Sequence, residues 1–196
     1  MRDLDCEQLH PELGCRIEGI DLNSLLDSGT VAGLSEAIDR YSFVYLPNQS
    51  MSDEAQLTLT RAFGDPEPSH TSVGQINYFG TIGNVQADGT ALGASAKKTI
   101  FQTGNNMWHS DASFKLVPAF LSIMCAYETP DEGGQTMFVS LRSAYDRLSP
   151  ERQRQLDPLI TIHDYVYSRS KVAADAVPAD MAASLPPVRQ RLVRTT

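Results

Sequence analysis

The chain has 196 residues, 41% of them hydrophobic, with 16 basic against 24 acidic side chains and a net charge of −8. That length suits one domain, which buries roughly 70% of its unfolded surface without staples, and the ordinary apolar content argues against intrinsic disorder. The acidic balance disfavours a nucleic acid or an anionic membrane as partner, since both need a basic face, but it leaves room for a small anionic substrate held by a few local cations.

The N-terminus, Met1-Arg2-Asp3-Leu4-Asp5, is charged and lacks the apolar core of a secretory signal, and no apolar run approaches a membrane span. Three cysteines at unrelated spacings (Cys6, Cys15, Cys125) suggest neither a disulfide framework nor a zinc knuckle, so a cytoplasmic protein with free thiols is expected. Residues 9–22 alternate around Gly14, Cys15, Ile17, Gly19 and Ile20, which predicts short strands with a turn. Val31, Leu34 and Ile38 fall at helical spacing, predicting an amphipathic helix to Tyr41, and residues 42–46 read as a buried strand stopped by Pro47-Asn48-Gln49. Ser52 ahead of Asp53 and Glu54 marks a helix start, with the helix running to Phe63 and stopping at Gly64.

The stretch of about 64–105 is irregular, with one strand-like run at Ile76-Asn77-Tyr78-Phe79, and reads as a lid or substrate loop. Ala119 to Ala126 predicts a buried strand, Thr129 to Gly134 a turn, and Gln135 to Val139 a returning strand. Ser143 to Leu156 predicts two short helices broken at Pro150, and Leu159 to Tyr167 resumes β character. Residues 1–196 are thus expected to form a single α+β domain with a β core.

His109-Ser110-Asp111 places an imidazole and a carboxylate two residues apart, on one face of an extended segment. Such an N plus O pair, completed by a second His, is the ligand set of non-haem iron(II) oxygenases. Spacing alone also admits an ordinary surface His–Asp pair. The surroundings narrow the choice. Gly104-Asn105-Asn106-Met107 precedes Trp108-His109-Ser110-Asp111-Ala112-Ser113-Phe114, and Gly133-Gly134-Gln135-Thr136 follows a strand later. Phe63-Gly64-Asp65, Ser143-Ala144-Tyr145-Asp146-Arg147-Leu148 and Leu185-Pro186-Pro187-Val188 add ordered matches, as does Leu192-Val193-Arg194-Thr195.

In these features the chain, from about residue 9 onward, resembles the taurine/phenoxyacetate dioxygenase family, and most closely its phenoxyacetate-degrading branch. The resemblance implies a mainly β fold, a double-stranded β-helix (a cupin-like jelly roll) with flanking helices. It implies Fe(2+), 2-oxoglutarate and O2 as cofactor and cosubstrates, and hydroxylation of a small anionic organic acid of phenoxyacetate or sulfonate type with release of succinate and CO2. His109 and Asp111 match the iron ligands. Thr136 matches a threonine that hydrogen-bonds the 2-oxoglutarate carboxylate, although without the motif it reads as an ordinary strand residue. Asn105 matches an asparagine facing substrate and cofactor, against its plain reading as a turn residue.

Trp108 either walls the site or fills core. His70 matches a substrate-contacting histidine of some members only after a shift, and otherwise reads as a solvent-exposed loop residue. Lys97, with Lys98, either attracts an anionic substrate or belongs to a solvated loop. His163 reads as a packed strand residue and His10 as exposed. The family's second His ligand and its 2-oxoglutarate arginine have no match among His10, His70, His163, Arg189, Arg191 or Arg194. Both are therefore expected beyond this chain, together with the last strands of the jelly roll, leaving the chain as the N-terminal two-thirds of the domain. Open sheet edges then favour self-association into a homo-oligomer. A non-catalytic remnant that binds metal weakly, or serves as a structural subunit, is the alternative.

Overall fold

The computed structural model describes residues 4–69, 77–86 and 88–195. The chain divides into two compact units, one formed by Met1–Pro66 and Ile123–Gln153, the other by Glu67–Ser122 and Arg154–Thr196.

In the first unit, β1 (Cys6–Gln8) pairs antiparallel with β2 (Cys15–Ile17), which pairs parallel with β3 (Val44–Tyr45). The turn between β1 and β2 is closed by Leu9 N–H donating to the Gly14 carbonyl at 2.9 Å. Gly14 adopts φ 86°, where a side chain is disfavoured, and a Cβ there would also press on Phe43 at 3.3 Å. Between β2 and β3 runs α1 (Ser28–Tyr41), a connection of the kind that parallel strands require. Its start is set by Asp27, whose carboxylate accepts from Thr30 N–H and Thr30 Oγ1, both at 2.9 Å. Leu34 and Ala37 on one face of α1 close over Cys15 and Ile17, all four at most 4% exposed. Truncating Ile17 to Ala would cost about 2–5 kcal/mol as a core deletion.

The second helix, α2 (Asp53–Phe63), follows the expected boundaries: Ser52 Oγ accepts from Ala55 N–H at 3.2 Å, and Gly64 ends it. Its Leu59 packs with Leu22 and Met51, and Ile123 and Cys125 lie against the same cluster.

Here the structure departs from the sequence reading. Residues 119–126 and 135–139 form no hydrogen-bonded strand among the described residues. The alternation is present, since Ile123 and Cys125 turn inward while Met124 is 62% exposed. What is lacking among the described residues is a neighbouring strand. The Ile123 carbonyl accepts instead from Gln56 Nε2 at 3.1 Å, and Tyr127 Oη donates to Asp53 Oδ1 at 3.0 Å, so side chains of α2 hold the segment. The turn itself is built, with Gly133 and Gly134 at φ 79° and 69°, the left-handed pair that suits glycine. Beyond it Phe138 stacks on Phe43 at 4.2 Å between ring centroids. Hydrogen-bonded strand is consequently scarce, and helices carry most of the regular structure among the described residues. Ser140 then caps α3 (Leu141–Asp146), and α4 (Pro150–Leu156) begins at the expected proline.

In the second unit, β4 (Ile160–His163) pairs antiparallel with β5 (Val188–Arg191). The β character expected as far as Tyr167 stops at His163. There Asp164 caps a short helix, α5 (Tyr165–Ser170), its carboxylate accepting from Tyr167 N–H at 2.9 Å. The lid stretch carries a six-residue helix, Lys97–Gln102, continued by a 3-10 turn, Thr103–Asn106. Residues 77–79 form no strand, and Ile76 lies outside the described residues. No helix among the described residues is long and apolar enough to cross a membrane.

Candidate metal centre

The segment Met107 to Phe114 leaves the 3-10 turn in extended conformation at Met107 (φ −80°, ψ 142°) and enters a turn after Asp111. That geometry brings the two expected ligands together. His109 Nε2 lies 3.2 Å from Asp111 Oδ1, with the two side chains 47% and 61% exposed.

Each partner is oriented from behind. His109 Nδ1 lies 2.6 Å from the Met107 carbonyl, and because a carbonyl only accepts, Nδ1 carries the proton. In the neutral ring the Nε2 lone pair is then the free donor atom and points toward the carboxylate. This is the arrangement metal-bound histidines adopt, with the second nitrogen donating to a backbone carbonyl. Asp111 Oδ2 accepts from Ser122 Oγ at 2.8 Å, which leaves Oδ1 toward the ring. A lone pair facing a carboxylate oxygen at this distance is favourable only with a cation or a proton between them. The donor set, one imidazole nitrogen and one carboxylate oxygen, fits a borderline divalent ion such as Fe(II). Among the described residues, no group of three or more His, Cys, Asp or Glu converges, so the chain offers this site two side-chain donors there.

Backbone strain lies beside the pair. Ala112, immediately after Asp111, has φ 54°, a left-handed conformation that costs an alanine about 1–2 kcal/mol. Its carbonyl accepts from Lys115 N–H at 3.0 Å, closing the turn.

The loop bearing the pair is held at both ends by one turn of α5. Tyr165 and Arg169, four residues apart, share a face of that helix. Tyr165, 5% exposed, packs its ring on Phe114 with centroids 4.6 Å apart. Arg169 donates to the Phe101 carbonyl at 3.1 Å and to Asn105 Oδ1 at 3.0 Å, and its guanidinium lies over the Phe101 ring at 4.7 Å. Burial pushes the Tyr165 hydroxyl above its usual pKa, an effect partly offset by the Arg169 charge.

Trp108 is 65% exposed, which removes its core reading. Lys97 opens its short helix. Thr136 is exposed and belongs to the first unit, whereas His109, Asp111 and Asn105 belong to the second. His70 lies outside the described residues. His163 sits on β4 with Nε2 3.0 Å from Thr161 Oγ1, as a hydrogen-bonded strand residue would. Sequence reasoning overlooked Ser122 and Arg169. Neither belongs to a local motif, and each reaches its partner from 11 and 64 positions away.

The family model described as "Taurine catabolism dioxygenase TauD, TfdA family" matches residues 5–196. The alpha-ketoglutarate-dependent 2,4-dichlorophenoxyacetate dioxygenase of Cupriavidus pinatubonensis is 32% identical over 193 residues, covering 95% of this chain and 67% of the relative. The alpha-ketoglutarate-dependent sulfate ester dioxygenase of Pseudomonas putida is 29% identical, covering 91% of this chain and 56% of the relative. Among solved structures, AAD-2 in complex with Mn(II) and N-oxalylglycine superposes with a TM-score of 0.91 at 29% identity, covering 100% of this chain and 70% of that one. The chain thus spans about two-thirds of the 2,4-dichlorophenoxyacetate dioxygenase.

Proposed function

We propose, from the premise that this chain belongs to the taurine catabolism dioxygenase TauD, TfdA family, that it serves iron(II)- and 2-oxoglutarate-dependent hydroxylation of a small organic acid. The observation that carries this reading is the His109–Asp111 pair, with His109 Nδ1 at 2.6 Å from a main-chain carbonyl and Nε2 at 3.2 Å from the Asp111 carboxylate. When bound, iron supplies the oxidising chemistry: O2 is consumed with 2-oxoglutarate, succinate and CO2 leave, and one oxygen atom enters the substrate.

The chain's own residues do the rest. His109 and Asp111 hold the metal, and Met107 O and Ser122 Oγ fix their orientation. Thr136 donates its hydroxyl to a 2-oxoglutarate carboxylate oxygen, a charge-assisted bond. Asn105 faces the substrate. Trp108, which is exposed, and with it His70 and Lys97 are the remaining substrate-side residues in this reading.

A substrate of phenoxyacetate or sulfonate type is supported by the relatives, whose names include a 2,4-dichlorophenoxyacetate, a sulfate ester and a sulfonate dioxygenase. The jelly-roll architecture is likewise proposed for the chain, on its likeness to AAD-2. Exposed Phe120, Met124, Tyr127 and Met137 support self-association into a homo-oligomer. The relatives bear names of active dioxygenases, so a non-catalytic remnant is not favoured.

The test is an anaerobic titration of the full-length protein, carrying the second histidine and the arginine expected beyond residues 1–196, with Fe(II) and 2-oxoglutarate, followed by assay of succinate with phenoxyacetate and with an alkyl sulfonate. Residues 1–196 alone are expected to release none. A visible charge-transfer band that needs both additions, and succinate release with one substrate class, are expected. Absence of any metal-dependent band would overturn the reading.

A further inference from the structure

Asn105 is expected to face the substrate, and the structure shows what decides which end of its carboxamide does so. Arg169 Nη2 donates to Asn105 at 3.0 Å, and a guanidinium has donors only. The atom it meets is therefore Oδ1, and the orientation of an otherwise ambiguous amide is settled. Nδ2, with two N–H donors, is left on the other side, and among the described residues none accepts from it.

Three observations show that this contact is built. Arg169 has no carboxylate partner among the described residues, so its charge rests on neutral acceptors and on the faces of Phe101 and Tyr165, at 4.7 and 5.2 Å. Gly104, beside Asn105, is buried, and a Cβ there would collide with Arg169 Nη1 and press on Val172 at 3.3 Å. The absent side chain at 104 is thus what lets the guanidinium lie under the turn. Finally, Tyr165 on the same face of α5 anchors Phe114, so the cation sits on a fixed platform.

We infer that Arg169 is a positioning residue: it holds the Asn105 carboxamide with its two N–H groups turned toward an anionic substrate, and it acts through Asn105. The inference rests on the reading that Asn105 faces the substrate. The physical gain is polarity, because a free asparagine presents oxygen or nitrogen about equally, and an oxygen would repel a carboxylate or sulfonate. A fixed donor removes that loss and the rotational entropy with it.

The experiment uses the metal-free protein with phenoxyacetate as the probe, following the Asn105 side-chain amide pair by 15N NMR and affinity by titration. In the parent protein, phenoxyacetate shifts the Asn105 Nδ2 signals. Arg169→Gln and Arg169→Lys should each collapse or move that pair before any ligand is added and weaken binding about tenfold, the order of one charge-assisted hydrogen bond. Asn105→Asp keeps an acceptor for Arg169 while removing both donors, so it should lose binding without losing thermal stability. In that background Arg169→Gln should add no further loss, as a residue acting through Asn105 requires.

Parent-like binding by Asn105→Asp, or no binding by the parent, would overturn the substrate-facing reading of Asn105. Loss in Asn105→Asp, with Arg169→Lys keeping the parent's affinity and amide signals, would instead overturn the role of Arg169 alone. A further loss from Arg169→Gln in the Asn105→Asp background would do the same, since Arg169 would then touch the anion itself. Should Arg169→Gln unfold, Arg169→Lys decides by the same signals.

Discussion

Ser122 Oγ donates to Asp111 Oδ2 at 2.8 Å, so the carboxylate is held by one oxygen and offers the other to His109 Nε2 at 3.2 Å. Removing the hydroxyl frees the carboxylate to rotate. Ser122→Ala should therefore weaken divalent-metal binding by about 10–100-fold, the usual cost of losing a group that orients a ligand. Paramagnetic broadening of amide signals by Mn(II) reads this directly, and an unchanged titration would show the bond to be idle.

His109→Ala and Asp111→Ala should each abolish the selective broadening. Each variant leaves the site one side-chain donor among the described residues, too few to compete with water for the ion. Selective broadening that persisted around residues 107–111 in either variant would place the metal elsewhere.

Thr136→Val keeps the side-chain shape and deletes the donor. If the hydroxyl bonds a 2-oxoglutarate carboxylate, the loss is about 1.5–3 kcal/mol, a roughly tenfold to hundredfold weaker cosubstrate with metal binding spared. Titration of 2-oxoglutarate into the metal-loaded protein measures it, and an affinity within twofold of the parent would make Thr136 merely structural.

Ala112→Gly should stabilise the fold. The left-handed φ of 54° costs alanine about 1–2 kcal/mol, against about 0.5–1 kcal/mol of extra chain entropy for glycine. The net of about 0.5–1 kcal/mol corresponds to a midpoint higher by about 1–4 °C. Calorimetry decides, and a lower midpoint would mean that the turn is held by something the backbone angles do not reveal.

Burial, aided by the neighbouring Cys6 thiol, pushes the Cys15 thiol up to about 12. An unfolded thiol ionises near about 8.5. Because the folded value is the higher one, the stabilisation is complete below about 8.5 and is lost as pH rises from there toward 12. At pH 8 iodoacetamide should label the half-buried Cys6 and Cys125 first, and Cys15 only on unfolding. Mass spectrometry of partially alkylated protein checks the order.

What could be read from the sequence was local. The helix from Asp53 to Phe63 was legible because its cap, acidic first turn and terminal glycine all lie within its own span. The His109-Ser110-Asp111 pair was legible for the same reason. The helix at Tyr165 was hidden, because Tyr165-Val166-Tyr167 favours strand by composition while one carboxylate, that of Asp164, decides the matter. Residues 119–126 showed the right alternation, but a ladder depends on a neighbour that the segment itself does not encode. Ser122 and Arg169 are invisible in the same way: each matters through a contact set by the fold.

The acceptor behind His109 is a main-chain carbonyl, and this bears on how the position next to the site can evolve. Any side chain at 107 supplies the same oxygen, so the ring's tautomer is insulated from substitutions there. Met107, 39% exposed, is thus free to drift or to be recruited for other contacts without disturbing the imidazole two residues on. Ser122 has no such freedom, since its contribution is the hydroxyl itself. Variation tolerated at 107 and refused at 122 is the pattern this geometry would leave in a mutational scan.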